Sequence, residues 1–123
     1  MSLRELIPML ETNNLQETIE FYETVLGFKC TGNVKNEWAR VERDKAVIMF
    51  SERFTKENYP NTFLTGGLYI FTNTVDLVWT EIKDKVKVCY PIESFEYGMR
   101  EFGVYDCNDY LLQFGQDMNE SLN

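Results

Sequence analysis

No histidine occurs in this 123-residue chain, so imidazole is absent as metal ligand, general base and activator of a nucleophile. Cys30, Cys89 and Cys107 form an odd set without C-x-x-C spacing, which reads as reduced structural thiols rather than a disulfide framework or a zinc cluster. Ser51 and Ser94 have no activating neighbour in the sequence, so no nucleophile with an adjacent base is visible. Aromatic residues, at 15% of the chain, are the more promising binding groups. Trp38 alternates with Asn36 and Arg40 on a predicted strand, and such a tryptophan faces a pocket, a subunit interface or the core. Phe50, Phe54, Tyr59 and Phe63 bracket a polar stretch; Tyr59 and Phe63 either close over a ligand or pin the loop to a sheet. Glu96 is a rim candidate. Arg100 and Glu101 are adjacent on a predicted strand, so one points inward and the other outward.

The elements that position these residues follow a repeated plan. Glu5–Thr12 reads as a strand, with Pro8 marking an edge or an irregular start. Asn14 caps a helix with Glu17 three positions on; Leu15, Ile19, Tyr22 and Leu26 share a face, and Gly27 ends it. Strands are expected near Phe28–Asn33, Glu37–Glu42 and Ala46–Ser51, the last two joined by the turn Arg43-Asp44-Lys45. After a connecting loop over residues 52–65 the order repeats. Gly67–Thr72 is a strand, and Thr74 caps a second helix whose Val75, Val78, Trp79, Ile82 and Val86 share a face, which makes Trp79 a core residue. Strands follow at Val86–Tyr90, Arg100–Tyr105 and Tyr110–Phe114, with Asn108-Asp109 as the last turn. A shift of 60 residues pairs Leu15 with Val75, Ile19 with Trp79, Tyr22 with Ile82 and Leu26 with Val86, which implies internal duplication. The expected fold is α+β: one domain over residues 1–123, built of two βαβββ repeats (about 5–51 and 66–116) that form a curved, mostly antiparallel sheet around a central cleft.

Twenty acidic residues against twelve basic ones give a formal charge of −8, which repels nucleic acid and anionic lipid and mildly favours a cationic ligand. No apolar run approaches the roughly 20 residues of a membrane span, and the N-terminal MSLRELIPML lacks the layout of a signal peptide. A cytoplasmic location is the expectation.

At both ends the residues resemble a known family. Pro8-Met9-Leu10, Asn14, Phe21-Tyr22 and Leu26-Gly27-Phe28 look like the opening of the vicinal-oxygen-chelate superfamily of glyoxalases, bleomycin-resistance proteins and dioxygenases. Tyr97-Gly98-Met99-Arg100-Glu101-Phe102, followed by Asp106-Cys107-Asn108-Asp109-Tyr110 and Leu111–Gly115, is similar to its closing hairpin. Metal-dependent members place one ligand on each of four strands. By the resemblance those positions fall on Ile7, near Leu68, around Val47–Met49 and on Gln113, which offer no imidazole or carboxylate.

The resemblance therefore points to the bleomycin-resistance branch: a metal-independent homodimer that binds a cationic or aromatic small molecule, with no cofactor and no catalytic residue. It also assigns Gln113, at the vacated ligand position, as a hydrogen-bonding group in the cleft. Arg100 becomes a contact for an anionic or carbonyl group, the alternative being a surface ion pair. The expected ligand-binding set is thus Trp38, Tyr59, Phe63, Glu96, Arg100 and Gln113. Two other readings stay open: a glyoxalase- or dioxygenase-type enzyme with a non-standard metal or with Glu96 or Glu101 as base, and a ligand-free structural dimer.

Overall fold

The computed structural model describes residues 2–53 and 63–119. The chain divides into two compact units, Met1–Thr62 and Phe63–Asn123. The first contains β1 (Met9–Thr12), α1 (Leu15–Thr24), β2 (Lys29–Val34), β3 (Trp38–Arg43) and β4 (Ala46–Glu52). The second contains β5 (Leu68–Phe71), α2 (Val75–Ile82), β6 (Lys87–Ser94), β7 (Met99–Tyr105) and β8 (Leu111–Asp117). Both are βαβββ units, as the duplication predicts, and the fold is α+β.

Each unit has its own four-stranded sheet, ordered β1-β4-β3-β2 in the first and β5-β8-β7-β6 in the second. Both sheets are mixed. β1 pairs with β4, and β5 with β8, in parallel; the other pairings are antiparallel. The helix crossover between the first strand and the rest of each unit makes the parallel pair possible, because a tight turn can join only antiparallel neighbours.

Alternation decides which side chains each helix covers. In the first unit Leu15, Ile19 and Tyr22 of α1 are buried along with Ala39, Val41, Ile48 and Phe50 of the sheet. The Tyr22 ring lies 5.1 Å from Phe50 and 5.3 Å from Phe28. In the second unit the buried set is Val75, Val78 and Ile82 with Phe102, Val104, Leu112 and Phe114. Trp79, expected in the core, is half-buried, with its ring 5.0 Å from Phe102.

Several expected boundaries move, each for a local reason. β1 starts at Met9 rather than Glu5: Pro8 has no N–H, although its carbonyl still accepts from Met49. α1 stops before Leu26, and Gly27 takes φ +71° where the chain leaves the helix. α2 ends at Ile82, so Val86 lies outside it. β6 runs through Pro91 to Ser94, four residues beyond expectation. That is tolerated because β6 is an edge strand and its register slips between Tyr90 and Glu93.

The helix caps differ as well. Asn14 accepts from the Glu17 N–H at 3.0 Å, as predicted, whereas Thr74 makes no side-chain cap bond. A strand residue caps each helix, in addition to Asn14 in the first unit and in place of Thr74 in the second: Glu52 accepts from Leu15 N–H at 2.8 Å and Gln116 from Val75 N–H at 3.1 Å.

Candidate functional site

β7 and β8 pair in a register that sets Glu101 opposite Gly115 and Gly103 opposite Gln113. Phe102, Val104, Leu112 and Phe114 take the core side, so Glu101 and Gln113 share the other face. β5 lies beside β8 with Tyr69 opposite Gln113, and β6 lies beside β7 with Tyr90 opposite Gly103. Tyr97 comes from the turn between β6 and β7.

These side chains converge on one carboxylate. Glu101 Oε1 accepts from the Tyr69 phenol at 3.2 Å and also from the Tyr97 phenol. Glu101 Oε2 accepts from the Tyr90 phenol, which in turn accepts from Gln113 Nε2 at 3.0 Å. Glu101 is only 3% exposed. Burying a carboxylate costs several kcal/mol unless its lone pairs are satisfied, and hydrogen bonds to a charged acceptor recover roughly 1.5–3 kcal/mol each. Three phenols supply that compensation in place of a cation.

Two glycines make the convergence possible. The Tyr90 ring lies across Gly103 and the Tyr69 phenol across Gly115, each so close that a β-carbon at the glycine would collide with it. The phenols hold their protons tightly. Burial and the Glu101 carboxylate push Tyr69 up to about 12 and raise Tyr90 further. The Tyr97 phenol rises to about 12, chiefly through its hydrogen bond to Glu101. All three are therefore O–H donors at neutral pH.

Most of the cluster borders an open pocket of about 380 Å³, lined by Tyr69, Phe71, Tyr97, Met99, Glu101 and Gln113. Glu101 is the one charged side chain in that lining. The Tyr69 and Phe71 rings lie 5.1 Å apart, and Tyr97 stacks on Phe95 at 5.4 Å. Every residue of the pocket belongs to the second unit.

Of the five residues singled out from sequence that lie among the described residues, Gln113 is the one in the pocket lining. Arg100 points to the helix side of β7: its Nε and Nη2 donate to the Asp76 carboxylate at 2.9–3.1 Å, and its Nη1 to Ser94 at 3.2 Å. That ion pair raises the guanidinium pKa. Trp38 lies in the first unit, with its ring across Gly32. Glu96 is exposed in the β6–β7 turn, and Phe63 is 69% exposed and outside the pocket lining. Tyr59 lies outside the described residues. Leu68, near which the resemblance puts another ligand position, pairs with the buried Leu112, and its neighbour Tyr69 lies opposite Gln113.

Sequence reading missed Tyr69, Phe71, Tyr90, Tyr97 and Met99, and considered Glu101 only as a general base. A parity signal existed. Glu101 and Gly103 alternate with Phe102 and Val104, just as Gln113 alternates with Leu112 and Phe114. That pattern places Glu101, and not Arg100, on the face of Gln113.

The profile of the glyoxalase/bleomycin resistance protein/dioxygenase superfamily matches residues 8–114. The chain belongs to that superfamily. No curated protein sequence matches it. Among solved structures, the bleomycin-binding protein of Streptomyces verticillus, complexed with copper(II)-bleomycin, is similar at 20% identity and a TM-score of 0.71, over 93% of this chain and 96% of that one. Lactoylglutathione lyase of Agrobacterium tumefaciens is similar at 12% identity and a TM-score of 0.70, over 94% of both chains. A glyoxalase/bleomycin resistance protein/dioxygenase from Nocardioides gives 12% and 0.72, over 98% of this chain and 89% of that one. At such identities the likeness concerns the fold.

The superfamily includes metal enzymes, and the donor set here does not suit a metal of that kind. Gln113 offers a neutral amide, Tyr69 and Tyr90 are protonated phenols, and both oxygens of Glu101 are engaged. Among the described residues no group of three or more Cys, Asp or Glu side chains is placed to hold a metal ion. No helix there is long and apolar enough to cross a membrane.

Proposed function

We propose that this superfamily member is a metal-independent binding protein that sequesters a cationic or aromatic small molecule. The observation that carries this reading is the buried Glu101 carboxylate, bonded by three phenols, in the lining of an aromatic pocket. A carboxylate offers a cation its counter-charge, and the flat rings offer stacking and cation–π contact. The formal charge of −8 favours the same ligand class and opposes nucleic acid. The similar bleomycin-binding protein, solved with copper(II)-bleomycin, supports a binding role within this fold. A homodimer belongs to the proposal, and sedimentation tests it.

The decisive experiment is thermal unfolding of chelator-treated protein against a panel of glycopeptide antibiotics and aromatic amines. A ligand present at about a hundred times its Kd stabilises the native state by roughly 2.7 kcal/mol, which gives a clear rise in Tm. That rise is expected to survive chelation. Silence across the whole panel, or a stoichiometric transition metal in the purified protein, would overturn the reading.

A further inference from the structure

Glu101 lines an open pocket and yet is almost wholly buried, with three phenols donating to its oxygens. Two of the three tyrosines, Tyr69 and Tyr97, line the pocket beside it. The three are not equally committed. Tyr90 lies flat across Gly103 and accepts a second bond from Gln113. Tyr69 crosses Gly115 and packs against Phe71. Tyr97 is 64% exposed, and the contacts that hold it are the stack on Phe95 and its bond to Glu101. A change of rotamer would take its hydroxyl off Oε1 at the cost of the Phe95 stack, with no glycine-seated ring to move.

Resting on the binding reading above, we propose that Tyr97 is a displaceable latch over Glu101 and that the ligand is an organic cation bearing an N–H donor, which replaces the Tyr97 hydroxyl at Oε1. The chemistry of the exchange selects that class. A buried carboxylate oxygen stripped of a donor costs free energy, so whatever displaces the phenol must donate in its place. An ammonium or amidinium group donates and also brings the counter-charge. A quaternary ammonium brings charge without a donor, an alcohol brings a donor without charge, and an anion is repelled. Met99 and the rings of Tyr69 and Phe71 line the pocket beside that group and suit an aromatic or aliphatic body. Because the Tyr97 phenol stays protonated to about pH 12, it competes for Oε1 throughout the physiological range.

Calorimetric titration of the full chain with protonated phenethylamine, its N-trimethyl analogue and phenethyl alcohol tests the latch. Tyr97→Phe keeps the ring and removes the competing donor. It should tighten phenethylamine on the order of fivefold, with a smaller gain for the trimethyl analogue. Glu101→Gln should weaken phenethylamine by about tenfold or more. Unchanged or weaker amine binding by Tyr97→Phe, with Glu101→Gln still deleterious, would overturn the latch and leave the binding reading standing. No binding of any probe by wild type or by Tyr97→Phe would overturn the latch; together with a silent antibiotic panel it would remove the binding reading too. Tyr97→Phe lies at an exposed position, so the test does not depend on the stability of Glu101→Gln.

Discussion

Trp38 in β3 and Glu101 in β7 occupy corresponding places in the two units. Each lies opposite the residue two beyond a matched position on the neighbouring strand: Trp38 faces Ser51, beyond Met49, and Glu101 faces Gly115, beyond Gln113. The helix-side residues correspond as well, Ala39 and Val41 with Phe102 and Val104, and all are buried. The opposite face is where the units diverge. In the first, the large ring sits on inner strand β3 and lies over Gly32 of edge strand β2, beside an Arg40–Glu42 ion pair at 3.4 Å. In the second, the large ring, Tyr90, sits on edge strand β6 and lies over Gly103 of inner strand β7. Exchanging aromatic and glycine between strands opens the middle of the second sheet to a carboxylate. A duplicated scaffold can thus hold its core constant and place binding chemistry on one copy, because the two faces of a strand are specified by alternate residues.

The sharpest way to break this asymmetry is to refill the glycines. Gly103→Ala drives a β-carbon into the body of the Tyr90 ring, and the expected cost is about 1–3 kcal/mol by urea denaturation. Gly115→Ala meets the hydroxyl end of the Tyr69 ring, which can swing away at less cost, and it severs the Tyr69–Glu101 bond. The corresponding change in the first unit, Ser51→Ala, should stay within roughly 0.5 kcal/mol. Equal costs in the two units would remove the structural meaning given to the glycines.

Alkaline titration sharpens the comparison next. Tyr69 and Tyr97 are raised from 10.0 to about 12, burial leading for Tyr69 and the bond to Glu101 for Tyr97. A folded-state pKa above the unfolded one means that their stabilisation is complete below pH 10 and is lost as pH rises from 10 through about 12. Phenolate absorbance should show both titrating late in wild type, and closer to 10 in Glu101→Gln. Late titration that persists in the variant would detach it from the carboxylate.

The smallest effects belong to the helix caps. Asn14→Ala and Glu52→Ala should each cost about 1 kcal/mol, Glu52 also losing a charge at the positive end of α1. Gln116→Ala, a neutral cap, should cost about 0.5 kcal/mol, and Thr74→Ala close to nothing. Thermal melts of the four variants check that order.

Much of the scaffold was legible because its signals are local. Asn14, the Leu15–Ile19–Tyr22 face and Gly27 announce α1, and two-residue alternation announces β3, β4, β7 and β8. The failures lay where a neighbour decides. Thr74 has the right side chain for a cap, yet the Val75 N–H is capped by Gln116, 41 residues beyond Val75. The expected strand over Val86–Tyr90 stops short of Pro91, yet β6 runs through it, because an edge position with slipped register tolerates a proline. Arg100 was favoured over Glu101 for the pocket because resemblance placed its segment at the cleft; strand parity alone gives the opposite orientation.

What this sequence determines by itself is the repeated βαβββ plan, the buried stripes, the acidic charge and the absence of imidazole. These follow from composition and from periods of two and 3.6 residues, which act over a few positions. The tertiary structure decided that Tyr69, Tyr90, Tyr97 and Gln113 meet around Glu101. That meeting depends on the order β5-β8-β7-β6 and on a register that sets bare glycines beneath two of the rings. Hydrogen bonds between strands far apart in the chain fix both, and no local period encodes them.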